Sequence, residues 1–281
     1  MGATVLRVHP QNDTHSALTR DQLLGSVSDL VVTRDRRILC ANYSSPGSGP
    51  GNIIEVDPST GAQSLFATGG YIERPAAVAL SSDGFSLLLL DSGSTLYDGR
   101  LVRIDIATGA QTLLHSGGRV EYWGDLAELP DGDVLLGETV GTESGVFRWS
   151  HATGETTKVT EGDTVHVTAI VVEPDGNVYV NWSGNPSSDG GFTLNQLDLA
   201  TGALKFIQPL FEGWKMTQEP NGRLDIATGL GYSVARVDPS SGSYEDFFLG
   251  NINITRAVAV WPEALVPTQP VTWGKVKAQY R

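Results

Sequence analysis

The sequence predicts an all-β fold, a six-bladed β-propeller built from four-stranded antiparallel blades. Three observations predict it: one turn phrase recurs at near-constant spacing, a second turn phrase alternates with it, and the composition is rich in glycine and proline, 33 and 14 of 281 residues. Such a mix favours many short strands joined by turns over long helices.

The first phrase is a strand of alternating apolar and polar residues, then Asp, a short linker, Thr or Ser, and Gly. It reads Ile54-Glu55-Val56-Asp57-Pro58-Ser59-Thr60-Gly61 and Val102-Arg103-Ile104-Asp105-Ile106-Ala107-Thr108-Gly109. Further copies end at Gly154, Gly202 and Gly242, and an eroded copy opens the chain from Leu6 to Asp13. From Asp13 through these glycines the steps are 48, 48, 45, 48 and 40 residues. Period-2 alternation gives a strand, Asp caps the turn, and Gly supplies the positive φ. The second phrase is an apolar strand, a Pro-Asp-Gly turn and another apolar strand, as in Leu126 to Leu136 and Ile170 to Val180, with weaker forms at Val78 to Gly84 and Thr217 to Gly222. Two hairpins per repeat make a unit of the size of a propeller blade.

The elements follow in order. Residues 1–24 supply the outer strands of a closing blade, from Thr4 to about Leu18. Residues 28–250 hold five complete blades. Residues 251–281 supply the inner strands of the closing blade, beginning at Arg256-Ala257-Val258-Ala259-Val260. The whole chain is then a single propeller domain, closed by strands from its two ends. Closure of this kind removes the open sheet edges that invite aggregation.

Alternating Pro-Asp-Gly and Asp-x-x-Thr-Gly phrases over essentially the whole chain resemble the NHL-type and SMP-30/gluconolactonase/strictosidine-synthase-like propellers. The resemblance implies the fold. It implies no single activity, because that superfamily holds lactonases, lyases, a condensing enzyme and non-catalytic binding modules, and the shared phrases are turn chemistry. The SMP-30 metal set begins with Glu-Gly-Pro, where this chain reads Gly25-Ser26-Val27-Ser28-Asp29, so that site is not carried over.

Charge and composition exclude several classes. With 19 basic against 32 acidic side chains the net charge is −13, which opposes nucleic acid and anionic membrane as partners. No apolar run approaches the ~20 residues of a spanning helix. The first residues read as a strand and not as a signal peptide, so the expected location is cytoplasmic, or secreted or periplasmic if a leader has been removed. The single cysteine, Cys40, excludes an intramolecular disulfide and a Cys-rich metal site. No Gly-x-Ser-x-Gly, His-Glu-x-x-His, phosphate-loop or dinucleotide motif occurs. The expected partner is a small molecule, and the expected state a monomer.

Small-molecule sites on such a scaffold lie at one mouth of the central channel, where the innermost strands begin and the second strands end. Aligning the repeats on their central turns places Asp29, Ala77, Asp125, Ala169, Lys215 and Ala257 at the starts of the innermost strands. The charged members fall on blades one, three and five. Charges aimed into a channel carry a desolvation cost unless they are paired or functional. Two readings stand: a structural ion cluster that plugs the channel, and an acid/base set comprising Asp125, Glu138, Asp29, Lys215 and His166. Asp125 leads the second reading, with Glu138 expected to share its opening, so that like charges push one pKa up and give a general acid beside an ionised partner.

Asn42, Asp91 and Glu138 occupy equivalent exits of the second strands. Either no cofactor is needed, or these oxygens hold a Ca²⁺ or Mg²⁺ ion; Asp as a loop cap is the alternative. Trp123, Trp214, Trp182 and Tyr43 crowd the same rim with Asn181, Arg74 and Arg256, as ligand-lining groups or as packing between blades. The functional expectation is therefore a lyase, hydrolase or cyclase acting on a small molecule at the top-face mouth. The alternative is a non-catalytic propeller that binds a protein or glycan.

Overall fold

The computed structural model describes residues 4–9, 14–20, 22–43, 49–94, 98–117, 124–138, 144–161, 166–183, 191–210, 213–228, 233–248 and 257–259. The architecture is an all-β propeller of four-stranded antiparallel blades, five of which lie among the described residues. A two-stranded hairpin precedes them: β1 (Thr4–His9) and β2 (Thr14–Arg20). Blade I holds β3 (Ser26–Val32), β4 (Ile38–Tyr43), β5 (Asn52–Val56) and β6 (Gln63–Thr68). Blade II holds β7 (Pro75–Leu80), β8 (Ser86–Asp91), β9 (Arg100–Asp105) and β10 (Gln111–Ser116). Blade III holds β11 (Leu126–Glu128), β12 (Val134–Glu138), β13 (Gly145–Trp149) and β14 (Thr156–Lys158). Blade IV holds β15 (His166–Val172), β16 (Val178–Ser183), β17 (Phe192–Leu197) and β18 (Leu204–Leu210). Blade V holds β19 (Lys215–Gln218), β20 (Leu224–Thr228), β21 (Ser233–Asp238) and β22 (Ser243–Phe248). Of the inner strands expected from residue 251 onward, only 257–259 are described, and not as a strand.

The recurring phrases build the turns at one end of every blade. In the first phrase Asp57 Oδ1 accepts from the Ser59 and Thr60 amides, both at 2.8 Å. Asp105, Asp198 and Asp238 cap their turns in the same way. Gly61, Gly109, Gly154, Gly202 and Gly242 adopt φ between 70° and 74°. At Gly61 the lack of a side chain matters twice over, because a Cβ would come within 2.1 Å of the Leu18 carbonyl oxygen of the N-terminal hairpin.

The first strands of successive blades contact one another, β3 with β7, β7 with β11, β11 with β15 and β15 with β19, so they form the inner ring. Both faces of a blade are covered by neighbours, and its second strand reads as a continuous apolar run. In β8 every residue from Ser86 to Asp91 is buried. The core is divided into seams. Leu39 and Ile53 meet Val78, Leu87 and Val102 between blades I and II. Leu88 and Leu90 meet Leu126, Leu136 and Trp149 between II and III. Similar seams join III to IV and IV to V. The N-terminal hairpin forms a further seam, with Val5 and Leu18 on Leu24, Ile38, Cys40, Ile54 and Val56 of blade I. Thr19 accepts from Gln63 Nε2 at 2.8 Å, and Arg7 donates to the Pro58 carbonyl at 2.7 Å. Burial pushes the Cys40 thiol up to about 12, as suits a small apolar residue.

Candidate functional site

Antiparallel order puts the start of each first strand and the end of each second strand at one end of the blade, here the top face. At this end three strands carry an extra residue. Ser28, Ala76 and Thr168 interrupt the registers of β3 with β4, β7 with β8, and β15 with β16. A bulge re-aims side chains, and two of these reach across to the next blade. The Ser28 hydroxyl donates to the Pro75 carbonyl at 2.7 Å, and the Thr168 hydroxyl to the Gly213 carbonyl at 2.6 Å. Reading the sequence did not single out these clasps. Their signal is a hydroxyl residue directly before the aligned strand start in blades I and IV.

The charged starts of blades I, III and V converge on the channel axis. Asp29, Asp125 and Lys215 are 5%, 5% and 6% exposed. Lys215 Nζ lies 2.7 Å from Asp125 Oδ1 and 3.5 Å from Asp29 Oδ2, and it donates to the Gly124 carbonyl at 3.0 Å. The second oxygen of Asp125 accepts from the Ile170 amide of blade IV at 2.7 Å. Asp29 accepts from the Val78 amide of blade II at 3.0 Å and from its neighbour Leu30 at 2.8 Å. One ammonium thus ties five blades together, directly or through a carboxylate. Asp125 is the tightly held partner and Asp29 the loosely held one.

Two carboxylates face one ammonium, and the electrostatics follow. Burial first, and the Asp125 charge with it, push the Asp29 carboxyl up from 3.8 to about 6, although Lys215 and the amides of Val78 and Leu30 pull against the shift. For Lys215 burial favours the neutral amine, but the two carboxylates overcome it and hold the ammonium above its ordinary range. Asp29, across the channel, shares a site with Asp125. Glu138, expected at the same opening, ends β12 opposite Gly145 and is half-buried.

The proposed cation ring is built differently. Asn42 Oδ1 accepts from the Gly25 and Ser26 amides at 2.8 and 3.1 Å. Its Nδ2 donates to the Leu23 carbonyl and to Asn52 Oδ1. Asp91 is fully buried, accepting from the Glu73 and Arg74 amides on one oxygen and from Gly93 on the other. Burial raises its pKa against the pull of these amides. These oxygens are engaged in capping backbone amides, and among the described residues no three of His, Cys, Asp and Glu are grouped to hold a cation. Asn42 and Asp91 are loop caps.

The remaining predicted residues divide. Asn181 is not at the rim: it is fully buried, and its Nδ2 donates to Thr168 Oγ1 at 3.0 Å and the Gly213 carbonyl at 2.6 Å. Trp182 packs on the seam between blades III and IV, the packing role large rings fill well. Tyr43, Trp214 and His166 are half-buried at the top ends of β4, β19 and β15. Arg74 is half-buried directly before β7, and its side chain makes no hydrogen bond or ion pair among the described residues. Trp123 and Arg256 lie outside the described residues.

No protein-family model matches the chain, and no curated protein matches it by sequence. Solved structures do match by fold. The nidogen/laminin complex aligns at TM-score 0.74 and 12% identity over 93% of this chain and 96% of that one. The PQQ-bound aldose sugar dehydrogenase of Streptomyces coelicolor aligns at 0.68 and 15%, over 93% and 90%. TolB of Acinetobacter baumannii aligns at 0.64 and 17%, over 90% of this chain, which spans 65% of TolB. A periplasmic gluconolactonase of Pseudomonas aeruginosa and an oligogalacturonate lyase of Vibrio parahaemolyticus follow at 0.56 and 0.55. At these identities the likeness establishes the β-propeller fold alone.

Proposed function

We propose that the chain is a single six-bladed propeller, completed by residues 251–281, that acts on a small organic molecule at its top face. The molecule sits above a floor made by Asp29, Lys215 and Asp125. In this reading the short Asp125–Lys215 pair is the fixed anchor, and Asp29 is the group that gives and takes a proton. The observation that carries it is the asymmetry of the cluster: Asp29 is held at 3.5 Å while Asp125 is held at 2.7 Å, and burial brings the Asp29 carboxyl to about 6. A general acid or base works best with a pKa near the operating pH. Arg74, which makes no ion pair among the described residues although its charge helps to lower the pKa of Glu73, is the cation offered to an anionic group of the ligand. Tyr43, Trp214 and His166 complete the rim, and Trp123 and Arg256 are assigned to it by their place in the repeat. Neighbours named for chemistry on aldoses, gluconolactone and oligogalacturonate make carbohydrates and sugar acids the first substrate class to try. No cation is assigned.

The test is a turnover assay on lactones, aldoses with an electron acceptor, and acidic oligosaccharides. One class should be turned over with an acidic limb near pH 6 in kcat/KM, and Asp29→Asn should abolish turnover while the protein stays folded. A second reading, a non-catalytic binding propeller, is favoured by one observation: every oxygen of Asp29 and Asp125 already has a donor. Saturable binding without turnover, unaffected by Asp29→Asn, would establish that second reading in place of the first.

A further inference from the structure

The turn between the first and second strands is built alike in four of the five described blades. Gly84, Gly132, Gly176 and Gly222 take the left-handed position, with φ of 71°, 87°, 92° and 86°. In blade I the same turn, residues 33–37, places Arg36 there at φ 68°. A side chain is unfavourable in this conformation relative to glycine, and such an outlier persists where the surrounding structure or a function requires it. The turn imposes the conformation here as in the sister blades, but it does not call for a long charged side chain. The Arg36 amide donates to the Thr33 carbonyl as the glycines of the sister turns do, but its side chain makes no hydrogen bond or ion pair among the described residues.

Its surroundings point the same way. Arg34, two residues earlier, lies against the glycine turn of blade II, where a Cβ on Gly84 would come within 2.4 Å of its Cζ. The carbonyls of Asp83 and Ser82 orient its guanidinium at 3.2 and 3.1 Å, and among the described residues no carboxylate joins them. Next to Gly84 stands Phe85, 73% exposed. Its carbonyl accepts from Ile106, whose own carbonyl accepts from Arg37, so Arg34, Phe85 and the Arg36 turn form one continuous corner of the bottom face. The other arginines nearby have counter-ions: Arg37 pairs with Asp35 and Glu55, and Arg103 with Asp83 and Glu128. At this corner Arg34 and Arg36 have no carboxylate partner among the described residues, in a chain with 32 acidic and 19 basic side chains.

We propose that Arg34, Arg36 and Phe85 form a docking surface for an acidic segment of a partner protein that carries an apolar side chain. Guanidinium groups grip carboxylates bidentately, and arginine beside an exposed aromatic ring is the usual anchor pair of a protein interface. The net charge selects the class of anion. A short acidic segment feels the charges within a Debye length, about 8 Å at physiological salt, whereas a nucleic acid would run on over a surface of net charge −13. The surface lies at the opposite end of the blades from the channel mouth and is independent of the activity proposed there.

The test uses the full chain and an array of short synthetic peptides rich in Asp and Glu, each carrying one Phe, Trp or Leu. Saturable, salt-sensitive binding is expected, weakened about tenfold by Arg36→Gly and by Phe85→Ser. Arg36→Gly restores the residue of the four sister turns, so its melting temperature should equal or exceed that of the parent chain. The proposal is overturned if no peptide binds, if binding survives Arg36→Gly, or if Arg36→Gly lowers the melting temperature, which would make Arg36 a fold residue. Binding of a single-stranded DNA oligomer in place of the peptides would overturn it as well.

Discussion

Replacing Asp125 and Asp29 one at a time separates the two members of the channel cluster, although each change removes one negative charge. Asp125→Asn removes the 2.7 Å partner of Lys215. The amide can keep its bond from Ile170 only by turning its NH₂ toward the ammonium, so one of the two donors always meets a donor. Breaking a buried pair in this way costs about 3–5 kcal/mol; the remaining Asp29 can shift toward Lys215, which places the expectation near about 3 kcal/mol. Asp29→Asn removes a weaker contact and also a buried charge that folding disfavours. With its pKa raised from 3.8 to about 6, Asp29 contributes stability that is complete below the unfolded value and is lost as pH rises through the folded one. At pH 7.5 the lost contribution is about 3 kcal/mol, and its removal offsets the hydrogen bonds the variant gives up. Thermal melts at pH 7.5 should therefore show Asp125→Asn falling by about 6 °C or more and Asp29→Asn within a degree or two of the parent. The Asp29→Asn variant should also lose the stabilisation that the parent gains between pH 7 and pH 5. Equal losses for the two variants, or a harmless Asp125→Asn, would refute the division into anchor and proton-exchanging group.

Other outcomes follow from the same contacts. Lys215→Met leaves two carboxylates buried side by side, so its stability loss should be larger at pH 7.5 than at pH 5 in urea titrations; a loss independent of pH would contradict the cluster. Deleting residues 1–20 bares the seam formed by Leu24, Ile38, Cys40, Ile54 and Val56, and the truncated chain should aggregate on a sizing column, whereas a cooperative monomer would show that the hairpin closes nothing. Gly213→Ala would place a Cβ 1.9 Å from Asn181 Nδ2 and break the Thr168 clasp. A loss of about 2–4 kcal/mol is expected by chemical denaturation, and a neutral variant would contradict the joint between blades IV and V.

The repeat was legible because its turns are chemically explicit. Asp57 and Gly61 are a cap and a left-handed glycine wherever they recur, and five such glycines sit at the expected φ. Spacing also placed Asp29, Asp125 and Lys215 on alternate blades, which on a closed ring point at one axis. Their partners were not legible. The bulges at Ser28 and Thr168 decide which amide each carboxylate meets, and a bulge depends on register between strands far apart in sequence. Asn42 and Asp91 looked like ligands because a loop cap and a metal ligand use the same residue types, and only the backbone amides around them tell the two apart. Arg36 could have been found, since among the five described blades its turn alone lacks the glycine, but its meaning depends on Phe85 of the neighbouring blade.

The central claim is that Asp29 exchanges a proton near neutral pH within a cluster anchored by Asp125 and Lys215. Its most direct measurement is a ¹³C-carboxyl NMR titration of the protein, with the Asp29 signal assigned by its disappearance in Asp29→Asn. The account predicts a midpoint near 6 that moves when Lys215 is replaced. A midpoint at or below 3.8, the ordinary aspartate value, would contradict it.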